Sequence, residues 1–316
     1  MSLKYSVVVI DDKKLLFEDY KRTINDFLSR NGFFAEVEHI PSEKAFYEYP
    51  LGKADLFLVD LKFGQDDKGQ TFIEAIRDDN LTDVLFYSSD HEAIEKYRVD
   101  LGSQGIFFAE RDEQNDEVEP LLNKMLAKMI TKSNAPRATR GLVMECVAEL
   151  DDKIKEKILL LIEKLPKEKH DSCYKKILKI IKCSLNGRIN KLHDFFNVDF
   201  AKKLESTVID GINLDFSLND LIENIQITDS DKNLRYLLTI YEDIYGKNEL
   251  YHKIESYSTL LKKRNILAHV SQIKAQEGYI FKSRNTGMED YILTDEESLS
   301  LRQNILSLEK ILNEIE

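Results

Sequence analysis

The feature that most constrains this chain is an alternation confined to its first 130 residues, in which short apolar runs are separated by stretches of helical periodicity. The first run, Tyr5-Ser6-Val7-Val8-Val9-Ile10, is dominated by β-branched side chains. A strand with one wet face would alternate apolar and polar residues, so a nearly continuous run suits a parallel strand covered on both faces. Similar runs recur at Phe34 to Val37, Asp55 to Val59, Val84 to Tyr87 and Gly105 to Phe108. Between and after them, the spacing predicts helices over Lys14 to Ser29, Ser42 to Tyr49, Gln70 to Arg77, His91 to Tyr97 and Glu117 to Ile130. Strands alternating with helices in this way predict a doubly wound, five-stranded parallel sheet, an α/β fold whose ligands bind outside the carboxyl ends of the strands.

Acidic residues fall at those ends. Asp11 and Asp12 follow the first run, and Asp60 follows the third in Leu58-Val59-Asp60-Leu61-Lys62. Carboxylates converging on one edge repel one another unless a hard divalent cation sits among them, which points to Mg²⁺. Ser88 closes the fourth run in Phe86-Tyr87-Ser88-Ser89-Asp90.

This constellation resembles the receiver domain of two-component response regulators, which are flavodoxin-like, and the likeness covers roughly residues 4 to 130. The resemblance implies that Asp11, Asp12 and Asp60 hold Mg²⁺ together with the backbone carbonyl of Lys62. It further implies that Asp60 accepts a phosphoryl group from a sensor histidine kinase or a small phosphodonor, and that Ser88 hydrogen-bonds that group. The chain departs from the receiver pattern at the fifth run. Receivers place a Lys four residues after the glycine that opens it, and here Gly105-Ile106-Phe107-Phe108 leads to Ala109, followed by Glu110 and Arg111. Ile106 also stands where receivers carry an aromatic switch residue. Strand alternation puts Arg111 on the same side as Ala109, reaching inward from further out.

Thr131 to Gly141 holds Pro, Gly and Ser with no apolar period and reads as a linker between a receiver domain, 1–130, and a helical domain, 142–316. Leu142 to Leu165 is the first helix of that second part, stopped by Pro166, and Cys173 to Leu185 is the next. Lys175, Lys179 and Lys182 stack on one face of the latter, a solvated stripe that is also the best local track for a phosphate backbone. Further helices are expected at Phe200 to Ile209, Leu218 to Ile225, Asn233 to Tyr245 and Glu249 to Val270. Tyr279-Ile280-Phe281 and Tyr291-Ile292-Leu293 flank Asn285-Thr286-Gly287 as a hairpin, and Glu296 to Ile315 closes the chain as a helix capped by Asp295.

The helix from Glu249 ends in Arg264-Asn265-Ile266-Leu267-Ala268-His269. Asn265 and His269 are one turn apart and face the same way, with Arg264 on the flank. An imidazole moves protons near neutral pH, and a guanidinium holds developing phosphorane charge with parallel hydrogen bonds. This stretch resembles the RxxxxH motif of the HEPN family of helical domains, and the likeness extends over at most the C-terminal half. It implies a metal-independent endoribonuclease that works as a homodimer, with Arg264, Asn265 and His269 as catalytic residues and RNA as partner. The competing reading is a non-catalytic response regulator whose helical half is a dimerisation or protein-interaction module.

Composition narrows the classes. A net charge of -12 argues against a chain built to coat nucleic acid, so any RNA contact is local. No apolar run is long enough to span a bilayer, and the N-terminus lacks a charged-then-apolar leader pattern, so the expected setting is cytoplasmic. Cys146, Cys173 and Cys183 show no CxxC spacing and read as reduced core thiols.

Overall fold

The computed structural model describes residues 3–63, 69–79, 82–100, 105–112, 116–196, 229–276, 278–282 and 290–315. It divides into two compact units, Met1–Leu142 with Asp295–Arg302, and Val143–Thr294 with Gln303–Glu316.

In the first unit β1 (Lys4–Ile10), β2 (Phe34–Ile40), β3 (Leu56–Asp60), β4 (Asp83–Ser88) and β5 (Ile106–Glu110) form one parallel sheet in the order β2-β1-β3-β4-β5. That order reverses direction between β1 and β3, the switch point of a flavodoxin-like doubly wound fold. The helices are α1 (Lys14–Arg30), α2 (Glu43–Glu48), α3 (Gly69–Asp79), α4 (His91–Asp100) and α5 (Val118–Ser133). Because successive strand side chains alternate between faces, Val8, Ile10, Phe57, Val59 and Phe86 join Phe46, Phe72, Ile76 and Ile94 of α2, α3 and α4 in one core. Asp60 and Tyr87 therefore point to the other face, where Tyr87 meets Tyr20 of α1 edge-on at 5.4 Å. All of β3 is buried, as its apolar run Leu56–Val59 requires, and Asp60 at its end is buried with it.

The register fixes the site. Ile10 pairs with Val59, so Asp11 and Asp60 emerge side by side, and Asp60, Tyr87 and Ala109 lie in one row across β3, β4 and β5. At the opposite end of the sheet Gly105 opens β5 with φ +89°, and a Cβ there would meet the Arg77 guanidinium at 2.8 Å.

The stretch expected to be a linker is helical at both ends. Residues 131–133 finish α5, Pro136 opens α6 (Pro136–Lys164), and only Asn134 and Ala135 lie between. A proline in the first helical turn forfeits no hydrogen bond, so Pro136 starts a helix where it was taken to interrupt one. The first unit also contains Asp295–Arg302, the start of α10 (Asp295–Glu314), so Asp295 is the first helical residue rather than the cap. Arg302 is buried there, with its Nε donating to the Asn31 carbonyl at 2.9 Å, Nη1 donating to Asn134 Oδ1 at 2.9 Å, and its guanidinium over the Phe33 ring. Burial pushes its pKa down to about 10.

The second unit is mainly helical. α6 buries Val143, Cys146, Val147, Leu150, Ile154, Ile158 and Leu161, the stripe expected from the sequence. α7 (Lys167–Phe196) begins and ends well outside the expected Cys173 to Leu185, followed by α8 (Ser230–Tyr245) and α9 (Glu249–His269). Asp229 and Asn248 cap these last two, accepting from the Lys232 and Tyr251 amides at 2.9 and 3.0 Å. Gly246, with φ +74°, ends α8 as anticipated. Of the expected stripe on α9, Ile254, Tyr257, Leu261 and Leu267 are buried and Leu250 is half-buried. The expected hairpin strands are β7 (Gly278–Phe281) and β8 (Tyr291–Leu293), and β6 (Gln272–Ala275), four residues long and not anticipated, adds a third antiparallel strand. The helices expected at Phe200 to Ile209 and Leu218 to Ile225, and the turn at Asn285 to Gly287, lie outside the described residues. Cys146 and Cys173 are buried, but Cys183 is exposed and is not a core thiol.

Candidate functional site

At the carboxyl edge of the sheet, Asp11, Asp12 and Asp60 bring one carboxylate oxygen each to within 4.8 Å of one another. Asp11 and Asp60 are buried while Asp12 is exposed. Asp60 Oδ1 accepts from the Lys62 amide at 3.0 Å, but its Oδ2 is buried with no hydrogen bond among the described residues. Lys13 Nζ and Arg111 Nη1 each stand 3.9 Å from that Oδ2, near enough for attraction and too far to hydrogen-bond. Burial, with the Asp11 carboxylate adding to it, pushes the Asp60 pKa up to about 6, while Arg111, the Lys62 amide and Lys13 pull against that rise.

Asp11 is held from several sides. Its Oδ1 accepts from the Lys13 amide at 2.7 Å, its Oδ2 accepts from the Tyr87 hydroxyl at 2.6 Å, and His39 Nε2 lies 2.7 Å from its carbonyl oxygen. His39 in turn stacks on Phe17 at 4.3 Å. Tyr87 is fully buried, and burial together with the Asp11 carboxylate drives its pKa well above that of a free phenol. Ser88, also fully buried, accepts from the Asp90 amide at 3.1 Å. The Lys62 side chain turns away to Asp90, 2.9 Å from its Oδ2, and leaves Asp60 to Lys13 and Arg111.

The donor set fits a hard divalent cation. It is all oxygen, anionic, and includes a buried oxygen with no hydrogen-bonding partner, which a Mg²⁺ or a phosphoryl group would satisfy. The expected ligands Asp11, Asp12 and Asp60 are thus brought together, and Lys62 and Ser88 lie at the ends of the flanking segments.

In the second unit the residues of the Arg264 to His269 stretch separate. Arg264 donates to the Ser230 hydroxyl, which donates to Asp151 Oδ2, linking α9, α8 and α6. Burial raises the Asp151 pKa, opposed by the Ser230 hydrogen bond and the Arg264 charge. Arg264 Nε and Asp151 Oδ1 are buried without hydrogen bonds among the described residues. Arg264 and exposed Asn265 line a cavity of about 640 Å³ with Asp151, Ser230 and Lys155. His269, exposed at the last position of α9, does not line it. Five helical positions rotate a side chain by about 140° and carry it about 7.5 Å along the axis, so Arg264 and His269 of one chain do not share a face. Lys175, Lys179 and Lys182 are all exposed.

Among solved structures, the chain is similar in shape to a signal receiver domain of a DNA-binding response regulator from Colwellia psychrerythraea 34H, at 16% identity over 40% of this chain and 98% of that one, with a TM-score of 0.32. A response regulator from Colwellia psychrerythraea gives 18% identity over 40% and 95%, with a TM-score of 0.31. A CheY-like receiver domain protein from Methanospirillum hungatei JF-1 gives 15% identity over 39% and 92%, with a TM-score of 0.28. No protein-family model matches the sequence, and neither does any curated protein.

Sequence reasoning missed Tyr87, His39 and Lys13 around Asp11, and Asp151 and Ser230 around Arg264. Tyr87 is one row from Asp60 only because β3 and β4 pair in that register. Asp151 and Ser230 lie 113 and 34 positions before Arg264, a separation that no local pattern bridges.

Proposed function

We propose that the first unit is a Mg²⁺-dependent phosphoacceptor, in the manner of a response-regulator receiver, and that Asp60 takes the phosphoryl group from a sensor histidine kinase or a small acyl phosphate. The observation that carries this reading is the buried, unbonded Oδ2 of Asp60, ringed by two further carboxylates and two cations. Asp60 Oδ2 is the nucleophile. Asp11, whose two carboxylate oxygens are held by the Tyr87 hydroxyl and the Lys13 amide, would offer one of them to Mg²⁺. Asp12, Asp60 and the Lys62 carbonyl complete the protein ligands, and Mg²⁺ there supplies the charge that lets an anionic phosphodonor approach anionic carboxylates. Ser88, the last residue of β4, is the proposed hydroxyl donor to a phosphoryl oxygen. Incubation with acetyl phosphate and Mg²⁺, followed by intact-mass measurement, should give one phosphoryl adduct that is lost in EDTA and in Asp60→Ala. An unmodified wild-type chain would overturn the reading.

For the second unit we infer a HEPN-like endoribonuclease, formed as a homodimer and controlled by the first unit. Support comes from the RxxxxH spacing, from the exposure of Asn265 and His269, and from a preset arginine at the edge of the Asn265 cavity. Since Arg264 and His269 of one chain face apart, a second copy supplies the complementary pair. His269 of one copy takes the proton of the ribose 2′-hydroxyl as its oxygen bonds to phosphorus, the bond from phosphorus to the 5′-oxygen breaks, His269 of the second copy protonates that oxygen, and Arg264 stabilises the pentavalent phosphate. RNA cleavage that persists in EDTA, leaves a cyclic phosphate and disappears in His269→Ala is the expected result. Equal cleavage by His269→Ala, or none by wild type, leaves the unit an interaction module.

A further inference from the structure

Receiver-like phosphoacceptors depend on a cation that neutralises the transferred group, and the strand position where one is expected holds Ala109, whose methyl is fully buried. We propose that Arg111, entering from two residues further along, is the cation that binds the phosphoryl group on Asp60. The inference rests on the phosphoacceptor reading and specifies how that site is completed.

Two buried atoms of opposite charge lie close together, and neither is hydrogen-bonded among the described residues. Asp60 Oδ2 and Arg111 Nη1 each lack a hydrogen bond, and they stand 3.9 Å apart. A guanidinium free to close on a buried carboxylate would do so, since an unmade charged hydrogen bond is costly. This one is held short of contact by its own fixings. The Arg111 amide donates to the Ser88 carbonyl at 2.8 Å, anchoring the residue beside the end of β4. Its guanidinium lies 5.9 Å from the Tyr87 ring centre, and Tyr87 is itself pinned by its hydroxyl on Asp11. The result is a guanidinium nitrogen and an acceptor oxygen 3.9 Å apart, a gap that a group carried on Oδ2 would enter.

The row Asp60–Tyr87–Ala109 explains the route. A side chain at Ala109 lies on the acceptor's own face of the sheet, and the next residue on that side is Arg111. The extra distance calls for a long side chain, and stacking on Tyr87 calls for a planar one, so Arg suits the position better than Lys. Arg111 and Lys13 also line an open groove of about 1050 Å³ beside α1, so the two cations nearest Asp60 are reachable by an anionic donor. In the transfer, a lone pair on Asp60 Oδ2 forms the new bond to phosphorus. With an acyl phosphate as donor, the bond from phosphorus to the acyl oxygen breaks and that pair departs with the carboxylate; with a phosphohistidine, the bond from phosphorus to nitrogen breaks and that pair departs with the imidazole. Arg111 remains protonated and moves its donors onto the phosphoryl oxygens.

The test uses the full chain with Mg²⁺ and beryllofluoride, a stable phosphoryl mimic, followed by calorimetry, together with a separate Mg²⁺ titration. Wild type should bind beryllofluoride and Asp60→Ala should not. Arg111→Ala should weaken beryllofluoride at least about tenfold, a loss of about 1.4 kcal/mol, while keeping or tightening Mg²⁺ because a repelling charge is gone. Arg111→Lys should recover part of the loss, as it restores charge without the planar fork. Arg111→Ala that retains Mg²⁺ and binds beryllofluoride within about twofold of wild type overturns the Arg111 assignment and leaves Asp60 as acceptor. Wild type that binds no beryllofluoride overturns the phosphoacceptor reading itself. Should Arg111→Ala lose Mg²⁺ as well, Arg111 is a structural residue and the proposal fails.

Discussion

A carboxylate that is only 1% exposed, carries no hydrogen bond on one oxygen and sits beside a second carboxylate is expensive to keep ionised. Asp60 has its pKa raised from 3.8 to about 6, so between those values the folded chain binds more protons than the unfolded one. The contribution of Asp60 to stability is therefore fully present below the lower value, is lost as pH rises through the upper one, and is flat beyond it. In EDTA, Asp60→Asn should raise the melting temperature at neutral pH, by up to about 3 kcal/mol of stability, and change little near pH 4. A melting temperature at neutral pH that Asp60→Asn leaves unchanged would show that the carboxylate is not strained. Tyr87→Phe removes the only side-chain donor to Asp11 Oδ2 found among the described residues. It should cost about 1–3 kcal/mol in denaturant unfolding of the metal-free chain, and a neutral result would mean that the hydroxyl bond is not formed. The acids themselves were legible in sequence because each directly follows an apolar run. Tyr87 and His39 gain their roles from register, which becomes visible only when β1, β2, β3 and β4 are paired, whereas the inward side of Arg111 was already legible from strand alternation.

At the level of elements, periodicity located the strands of the first unit and the buried stripes of α6 and α9, because burial on one face or both leaves a pattern in composition. It failed where one residue type has two meanings. Pro136 and Gly141 were read as breakers, yet a proline at a helix start is free of penalty and Gly141 sits inside α6 with nothing within 4 Å of where a Cβ would stand. Gly141→Ala should accordingly stabilise the chain, by about 0.5–1 kcal/mol, and destabilisation would argue that residues 136–141 are not helical. β6 escaped notice because four residues, two of them exposed, carry too short an alternation. The cap of α9 was equally hidden. Asn248 serves both the Tyr251 amide and the Tyr241 hydroxyl, and Asn248→Ala should cost about 1 kcal/mol with Asn248→Asp largely retaining stability. Thermal melts of the two variants decide it.

On the scale of the whole molecule, the first unit is completed by residues from near the chain's end. Arg302 lies 271 positions from the Asn31 carbonyl it bonds, a contact that no reading of local pattern supplies. Arg302→Leu strands the Asn31 carbonyl and Asn134 side chain and should cost about 2–4 kcal/mol, read as an earlier unfolding transition. With 57 acidic against 45 basic residues, the chain as a whole repels RNA. If the second unit cuts RNA, the exposed Lys175, Lys179 and Lys182 are its available track. Phosphorylation at Asp60 can be trapped with borohydride, since reduction of an aspartyl phosphate leaves homoserine at the modified position. After exposure to acetyl phosphate and Mg²⁺, peptide mapping should find homoserine at position 60 and nowhere else. Homoserine at another aspartate, or at none in a folded chain, would contradict the account.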